Sequence, residues 1–272
     1  MVRARGVGMQ FGDVKVEIGE DHVATVQFGK PPNNFFDVPM IRSLGDAFDA
    51  LEQDSNARAI LLCSEGRHFC AGADLSSRET TPIPDAAAPG QQQPTNPLYS
   101  EGVRLFGGSV PVVAAVQGAA VGGGLGLALA ADFRVATPDS RFTANFARLG
   151  FHHGFGLTVT LPLVVGQQRA LELLYTGRRI NGEEAMRIGL CDRLVPTDQL
   201  LDEARALAAE IAGSAPLAVS SIRRTMRGDL PTRVRAATDH ENQEQARLRD
   251  TNDFKEGVKA TAERRDPIFT GA

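Results

Sequence analysis

Cysteine is scarce in this chain: three in 272 residues, at Cys63, Cys70 and Cys191, with no CxxC pair and no cysteine–histidine cluster. An odd count without such spacing argues against a disulfide framework or a zinc site, and for a reducing compartment, taken here as cytoplasmic. Basic blocks are also missing. The formal net charge is −4, and no run of lysine or arginine offers a surface to the phosphates of nucleic acid. Arg3 and Arg5 are not followed by an apolar run, so the first 12 residues do not read as a signal peptide. One segment does lack charge over a length sufficient on paper to span a bilayer, Leu105–Ala131. It is broken by Pro111, Gln117, Gly118 and Gly122-Gly123-Gly124, so a strand, a turn and a buried helix account for it better than a membrane span.

What is present is ordinary globular material, 42% apolar and 23% charged, of a length that suits a single α/β core with an appendage. Val14–Gly19 and Val23–Phe28 read as short strands around Glu20-Asp21, and Val38–Leu51 carries Ile41, Leu44, Phe48 and Leu51 at helical spacing. Ala59–Cys63 and Val112–Val116 are fully apolar, the pattern of strands covered on both faces. A helix opening on the glycine run to Ala131 and a strand at Phe133–Ala136 continue the alternation that defines α/β architecture. From Leu161 onward the pattern is mainly helical: Asn181 caps a helix from Gly182, and Leu200–Ile211, Pro216–Arg227, Thr232–Arg249 and Phe254–Glu263 follow. There is no internal repeat. Between Ser76 and Pro97 the composition shifts to proline, alanine, glutamine and threonine, which predicts a mobile surface loop, passive or acting as a lid.

Two glycine-containing turns carry the chemistry. The first, Arg67-His68-Phe69-Cys70-Ala71-Gly72-Ala73-Asp74-Leu75, follows the buried Ala59–Cys63 strand. The second runs from Val113 through Gln117-Gly118 to Gly122-Gly123-Gly124, strand then turn then helix start. Small residues allow a ligand close to the backbone, and a helix beginning at Gly122–Gly124 points unpaired N–H groups and the positive end of its dipole outward. Two such turns meeting would supply paired donors for a carbonyl oxygen gaining negative charge. A Cβ at Gly123 would then project toward the ligand or force the turn to move. The alternative for either turn alone is tight packing with no ligand. A dinucleotide site is disfavoured because Leu127 stands where GxGxxG needs its last glycine, and neither GxSxG nor a P-loop occurs.

Phe69-Cys70-Ala71-Gly72-Ala73-Asp74-Leu75 resembles the F-x-x-G-A-D segment of the crotonase (enoyl-CoA hydratase/isomerase) superfamily. Val113–Phe133 is similar to its longer signature, A-x-V-x-G and G-G-G followed by Ala131-Asp132-Phe133. Asp253-Phe254-Lys255-Glu256-Gly257 and Glu263-Arg264-Arg265-Asp266-Pro267-Ile268-Phe269 resemble its closing elements. The resemblance covers roughly Val14–Thr270. It implies a spiral of ββα units over residues 1–198, and over residues 199–272 a C-terminal helical region that assembles trimers or dimers of trimers. It also implies an acyl-CoA thioester as ligand, coenzyme A being part of the substrate with no separate cofactor or metal. By motif position the carbonyl-binding N–H groups belong to Ala73 and Gly123. Ala71, Gly72, Asp74 and Gly122 would lie beside the ligand, and Arg264 matches a position that reaches coenzyme A phosphate from a neighbouring subunit.

The hydratases of that family use two glutamates to activate water and deliver a proton. Gly126 and Phe146 stand at those positions, and Gly154 stands where some isomerases and dehalogenases carry an aspartate. The resemblance therefore implies an acyl-CoA-processing enzyme with ordinary hydration in doubt, or an acyl-CoA-binding protein without turnover; a nicotinamide-dependent reductase is a distant third. Replacement acid/base candidates are His152 and His153, in the loop bordering the family's acyl pocket, and Glu101, which with Tyr99 lies on the short helix after the Ser76–Pro97 loop. His68 reads as structural.

Overall fold

The computed structural model describes residues 8–73, 87, 88, 91 and 93–272. The strands are β1 (Gly8–Phe11), β2 (Val14–Ile18), β3 (Val23–Phe28), β4 (Ala59–Ser64), β5 (Val112–Val116), β6 (Ala119–Val121), β7 (Phe133–Ala136), β8 (Arg141–Thr143), β9 (Ile180–Asn181) and β10 (Arg193–Leu194). The helices are α1 (Val38–Glu52), α2 (Pro97–Arg104), α3 (Gly123–Ala130), α4 (Leu157–Val165), α5 (Gln167–Thr176), α6 (Gly182–Arg187), α7 (Leu200–Ala212), α8 (Pro216–Arg227), α9 (Leu230–Arg249) and α10 (Asn252–Glu263).

Seven strands form the main sheet in the order β1-β2-β3-β4-β5-β7-β10. The meander β1-β2-β3 is antiparallel, and from β3 to β10 every pairing is parallel. β4 is buried at all six positions because both its faces are covered. Ile60 and Leu62 join the larger core with α1, whereas Leu61 and Cys63 pack with Val113, Val135 and the Leu200, Ala204 and Leu207 face of α7. That two-sided cover is why β4 and β5 read as continuous apolar runs rather than alternating ones.

The charge-free Leu105–Ala131 segment resolves into β5, β6 and α3 joined by turns, and no described helix is long and apolar enough to cross a membrane. Caps match their chemistry: the Asp37 carboxylate accepts the Met40 N–H at 3.0 Å, and Asn181 accepts from Glu184 N–H at 2.9 Å. The C-terminal half of the chain is anchored by Asp132, which accepts from Arg223 Nε at 2.9 Å, Arg227 Nε at 2.8 Å and Val112 N–H at 2.8 Å. A second, small sheet, β6-β8-β9, was not expected from the sequence; its first strand lies within the second glycine turn, between Gly118 and Gly122. The Ser76–Pro97 expectation falls largely outside the described residues.

Candidate active site

The two glycine turns are stitched to one another. Phe69 N–H donates to Gln117 O at 2.8 Å, Cys70 N–H to Ala119 O at 2.9 Å, and Val121 N–H to Cys70 O at 3.0 Å. Asn34, fully buried and in the left-handed region, pins the first turn from behind: its amide donates to the carbonyls of Glu65 and His68, both at 2.6 Å. His68 Nδ1 accepts the Ala119 N–H at 3.2 Å, so His68 serves as a strut between the turns. Burial and the neighbouring Arg67 push its pKa down, which keeps that nitrogen an acceptor.

Each glycine has its own reason. Gly122 sits at φ 55 and ψ −116, a conformation open only to glycine, and Gly72 sits at φ 105 with the Val121 carbonyl against its α-carbon. A methyl on Gly124 would overlap the Cys70 carbonyl, so tight packing accounts for that position. At Gly123 a Cβ would come 2.5 Å from Phe36 Cζ, a buried ring that itself lines the cavity, so of the two outcomes expected a side chain there forces the ring or the turn to move. Gly122 N–H is bonded to Thr143 O at 2.8 Å. The N–H groups of Ala73 and Gly123, in contrast, are donated to no described residue, and Gly123 opens α3, where the first N–H groups have no helical partner.

Ala71, Gly72, Ala73, Gly122 and Gly123 all line one cavity, together with Phe36, Phe146, Phe151 and Phe155. Asp74 lies outside the described residues. Phe146 packs at a tilt against Phe151, 5.5 Å between ring centroids, and Phe151 meets Phe254 edge-on at 5.0 Å. At Gly126 the space a side chain would need is filled by Phe155, whose Cδ1 and Cβ lie 2.8 and 2.9 Å from a built Cβ. At Gly154 a Cβ would overlap Tyr99 Oη. Phe146, Gly126 and Gly154 thus all lie against aromatic side chains, Phe151, Phe155 and Tyr99 respectively.

The candidate acids and bases are not brought to this cavity. Glu101 faces α1, accepting from Arg42 Nε at 2.9 Å and Arg104 at 2.8 Å. Burial alone would raise its pKa, but the two guanidiniums hold it below the usual carboxylate range. His152 and His153 stack on each other at 4.1 Å, with His240 edge-on to His152 at 5.9 Å, and neither lines the cavity. His153 Nε2 donates to Thr158 Oγ1 at 2.9 Å, since that hydroxyl itself donates to Glu241 at 2.6 Å. Burial, then His152 and His240, push the His153 pKa down to about 3. Arg264 is exposed at the end of α10, in the left-handed region at φ 56.

The polar side chains that line the cavity are Asn96, Tyr99, Asn145 and Gln245; Tyr99 was placed on its helix from the sequence, and the other three were not singled out. Tyr99 Oη donates to Gln245 Oε1 at 2.8 Å, and Gln245 Nε2 donates to His152 O at 2.9 Å. Among the described lining residues none is a carboxylate, histidine, lysine or arginine. Nor do the described residues hold a cluster of groups that could bind a metal ion. The cavity is largely apolar and, among its described lining residues, carries no charged side chain, which suits a neutral ligand.

Comparison with known proteins assigns the class more narrowly. Residues 19–272 match the family model for enoyl-CoA hydratase/isomerase, and the chain belongs to that family. It is 35% identical to a probable enoyl-CoA hydratase of Mycobacterium tuberculosis, over 94% of this chain and 92% of that one. It is 33% identical to the (E)-benzylidenesuccinyl-CoA hydratase of Thauera aromatica, over 93% of this chain and 97% of that one. A solved enoyl-CoA hydratase/isomerase from Pseudoalteromonas atlantica superposes with a TM-score of 0.82 at 28% identity, covering 95% of this chain and all of the other.

Proposed function

We propose that this protein binds acyl-CoA thioesters with the carbonyl oxygen between the N–H groups of Ala73 and Gly123, and processes them by a route other than two-glutamate hydration. The observation that carries the reading is that these two N–H groups, donated to no described residue, belong to adjoining turns lining one largely apolar cavity. Relatives named as hydratases of CoA thioesters support the ligand class. Coenzyme A enters with the substrate, and no separate cofactor is invoked.

Charge developing on the carbonyl oxygen would be met by both donors at the start of α3, and one such donor is typically worth about 10²–10³-fold in rate. Each positioned acid/base group is worth about 10²–10⁴-fold, so Gly126 and Phe146 imply hydration far below that of an ordinary hydratase. A second reading, acyl-CoA binding without turnover, is favoured by the lack of any carboxylate or histidine among the described cavity residues. Self-assembly as a trimer, or a dimer of trimers, is supported by the exposed Leu217, Ile222 and Met226 of α8, and Arg264 would then reach coenzyme A phosphate of a neighbouring subunit.

Calorimetry with acetoacetyl-CoA, beside a crotonyl-CoA absorbance assay, tests the reading. Expected are binding of the thioester, no binding of the free acid, and very slow loss of enoyl absorbance. No binding of any acyl-CoA, or turnover like that of a two-glutamate hydratase, would overturn it.

A further inference from the structure

From Gly123 the wall of the cavity can be followed residue by residue away from the carbonyl site. Phe36 stands against Gly123; Phe155 lies 5.2 Å from Phe36 between ring centroids; Tyr99 meets Phe155 edge-on at 6.5 Å. The apolar surface ends there, at the Tyr99 hydroxyl and the Gln245 carboxamide, both buried and both lining the cavity. Gly154 allows this: a Cβ at that position would displace both groups, overlapping Tyr99 Oη and coming 2.7 Å from Gln245 Nε2.

The hydrogen-bond inventory of the pair is lopsided in a useful way. Tyr99 donates its one proton to Gln245 Oε1, and Gln245 donates one of its two amide protons to His152 O. The Phe155 backbone N–H also bears on the phenol oxygen. That leaves one acceptor lone pair on Tyr99 and one amide proton on Gln245. A hydroxyl satisfies both at once, donating to Tyr99 and accepting from Gln245. A carboxylate cannot donate, and no cation among the described lining residues compensates it, so burying it there is unfavourable. A terminal methyl leaves both groups unsatisfied. The cavity volume, about 100 Å³, is of the order of a short acyl chain.

Building on the acyl-CoA reading above, we propose that Tyr99 and Gln245 are the specificity-determining pair of this site. They select a CoA thioester whose short acyl chain ends in a neutral group that both donates and accepts, a hydroxyl, over one ending in a methyl or a carboxylate.

The test is calorimetry of the full chain with three thioesters: butyryl-CoA, butyryl-CoA hydroxylated at its terminal carbon, and succinyl-CoA. Two net hydrogen bonds predict that the hydroxylated ligand binds about tenfold more tightly than butyryl-CoA. Succinyl-CoA is expected to bind more weakly than either. In Tyr99→Phe and in Gln245→Leu the preference for the hydroxyl shrinks, and in the double variant the two neutral ligands bind alike. Equal affinity for the two in the wild type, succinyl-CoA as the tightest ligand, or a preference that survives the double variant would overturn the inference and leave the acyl-CoA reading intact. Failure of all three thioesters to bind the wild type would overturn both.

Discussion

Gly126 offers a prediction in which helix propensity and packing pull in opposite directions. It lies inside α3, where replacing glycine by alanine ordinarily stabilises by about 1 kcal/mol. Here the added methyl would sit 2.8 Å from Phe155 Cδ1, 2.9 Å from its Cβ and 3.0 Å from its carbonyl oxygen. Phe155 cannot swing aside freely, being buried against Phe36, Tyr99 and Phe106. Overpacking of this kind costs about 1–3 kcal/mol, so the net effect of Gly126→Ala is a loss of up to about 2 kcal/mol. For a chain of this size each kcal/mol lowers Tm by roughly 2–4 °C. In a Phe155→Ala background the Cδ1 contact is gone while the Cβ and carbonyl contacts remain, so Gly126→Ala should cost less there than in the wild type. The assay is a double-mutant cycle by calorimetric melting. A Gly126→Ala protein more stable than wild type would refute the packing argument. The same geometry predicts that Gly126→Glu alone does not create hydratase activity, because its carboxylate has no path into the cavity while Phe155 occupies the space.

Gly123→Ala should likewise destabilise, since its methyl meets Phe36 at 2.5 Å, and Phe36→Leu should relieve part of that loss; thermal melting of the pair checks this. Asp132→Ala strands Arg223 and Arg227 without their shared carboxylate. Breaking a buried ion pair costs about 3–5 kcal/mol, a Tm fall of roughly 6–20 °C, and a change near zero would contradict the anchoring role. His153 has its pKa pushed down to about 3 in the folded protein, against 6.5 for an unperturbed histidine. The unfolded chain therefore binds the extra proton, and the contribution is intact above the unfolded pKa and lost as pH falls from there toward the folded value. Glu241, whose pKa burial pushes up, contributes with the opposite sign in acid, so the difference in stability between wild type and His153→Asn isolates the histidine. That difference should shrink as pH falls through this window; a flat difference would contradict the assignment.

Much of the fold was legible because its signals are local. Pro216 at the start and Gly228 after the end bound α8 as the sequence reading had it, and two-sided burial made β4 and β5 plain apolar runs. The β6-β8-β9 sheet was not legible, since strands of two or three residues carry no periodicity to detect. Within the site, the glycine turns announced themselves, but the polar end of the cavity did not. Tyr99 and Gln245 are 146 residues apart, and Gln245 lies on a helix whose inward face is itself polar, carrying Thr238, Glu241 and Asn242. Nothing in the local pattern separates that face from solvent. Glu101, chosen from the same helix as Tyr99, points to the arginines of the other face, a distinction set by two residues of helical rotation.

The Ala73 and Gly123 N–H groups are proposed to polarise a thioester carbonyl. Infrared difference spectroscopy of bound acetoacetyl-CoA, carrying a heavy-carbon label at the thioester carbonyl, measures that polarisation without requiring turnover. The account predicts that the labelled band moves to lower frequency on binding and moves back part of the way in Gly123→Ala. A ligand that binds with its carbonyl band where it stands in water would contradict the claim.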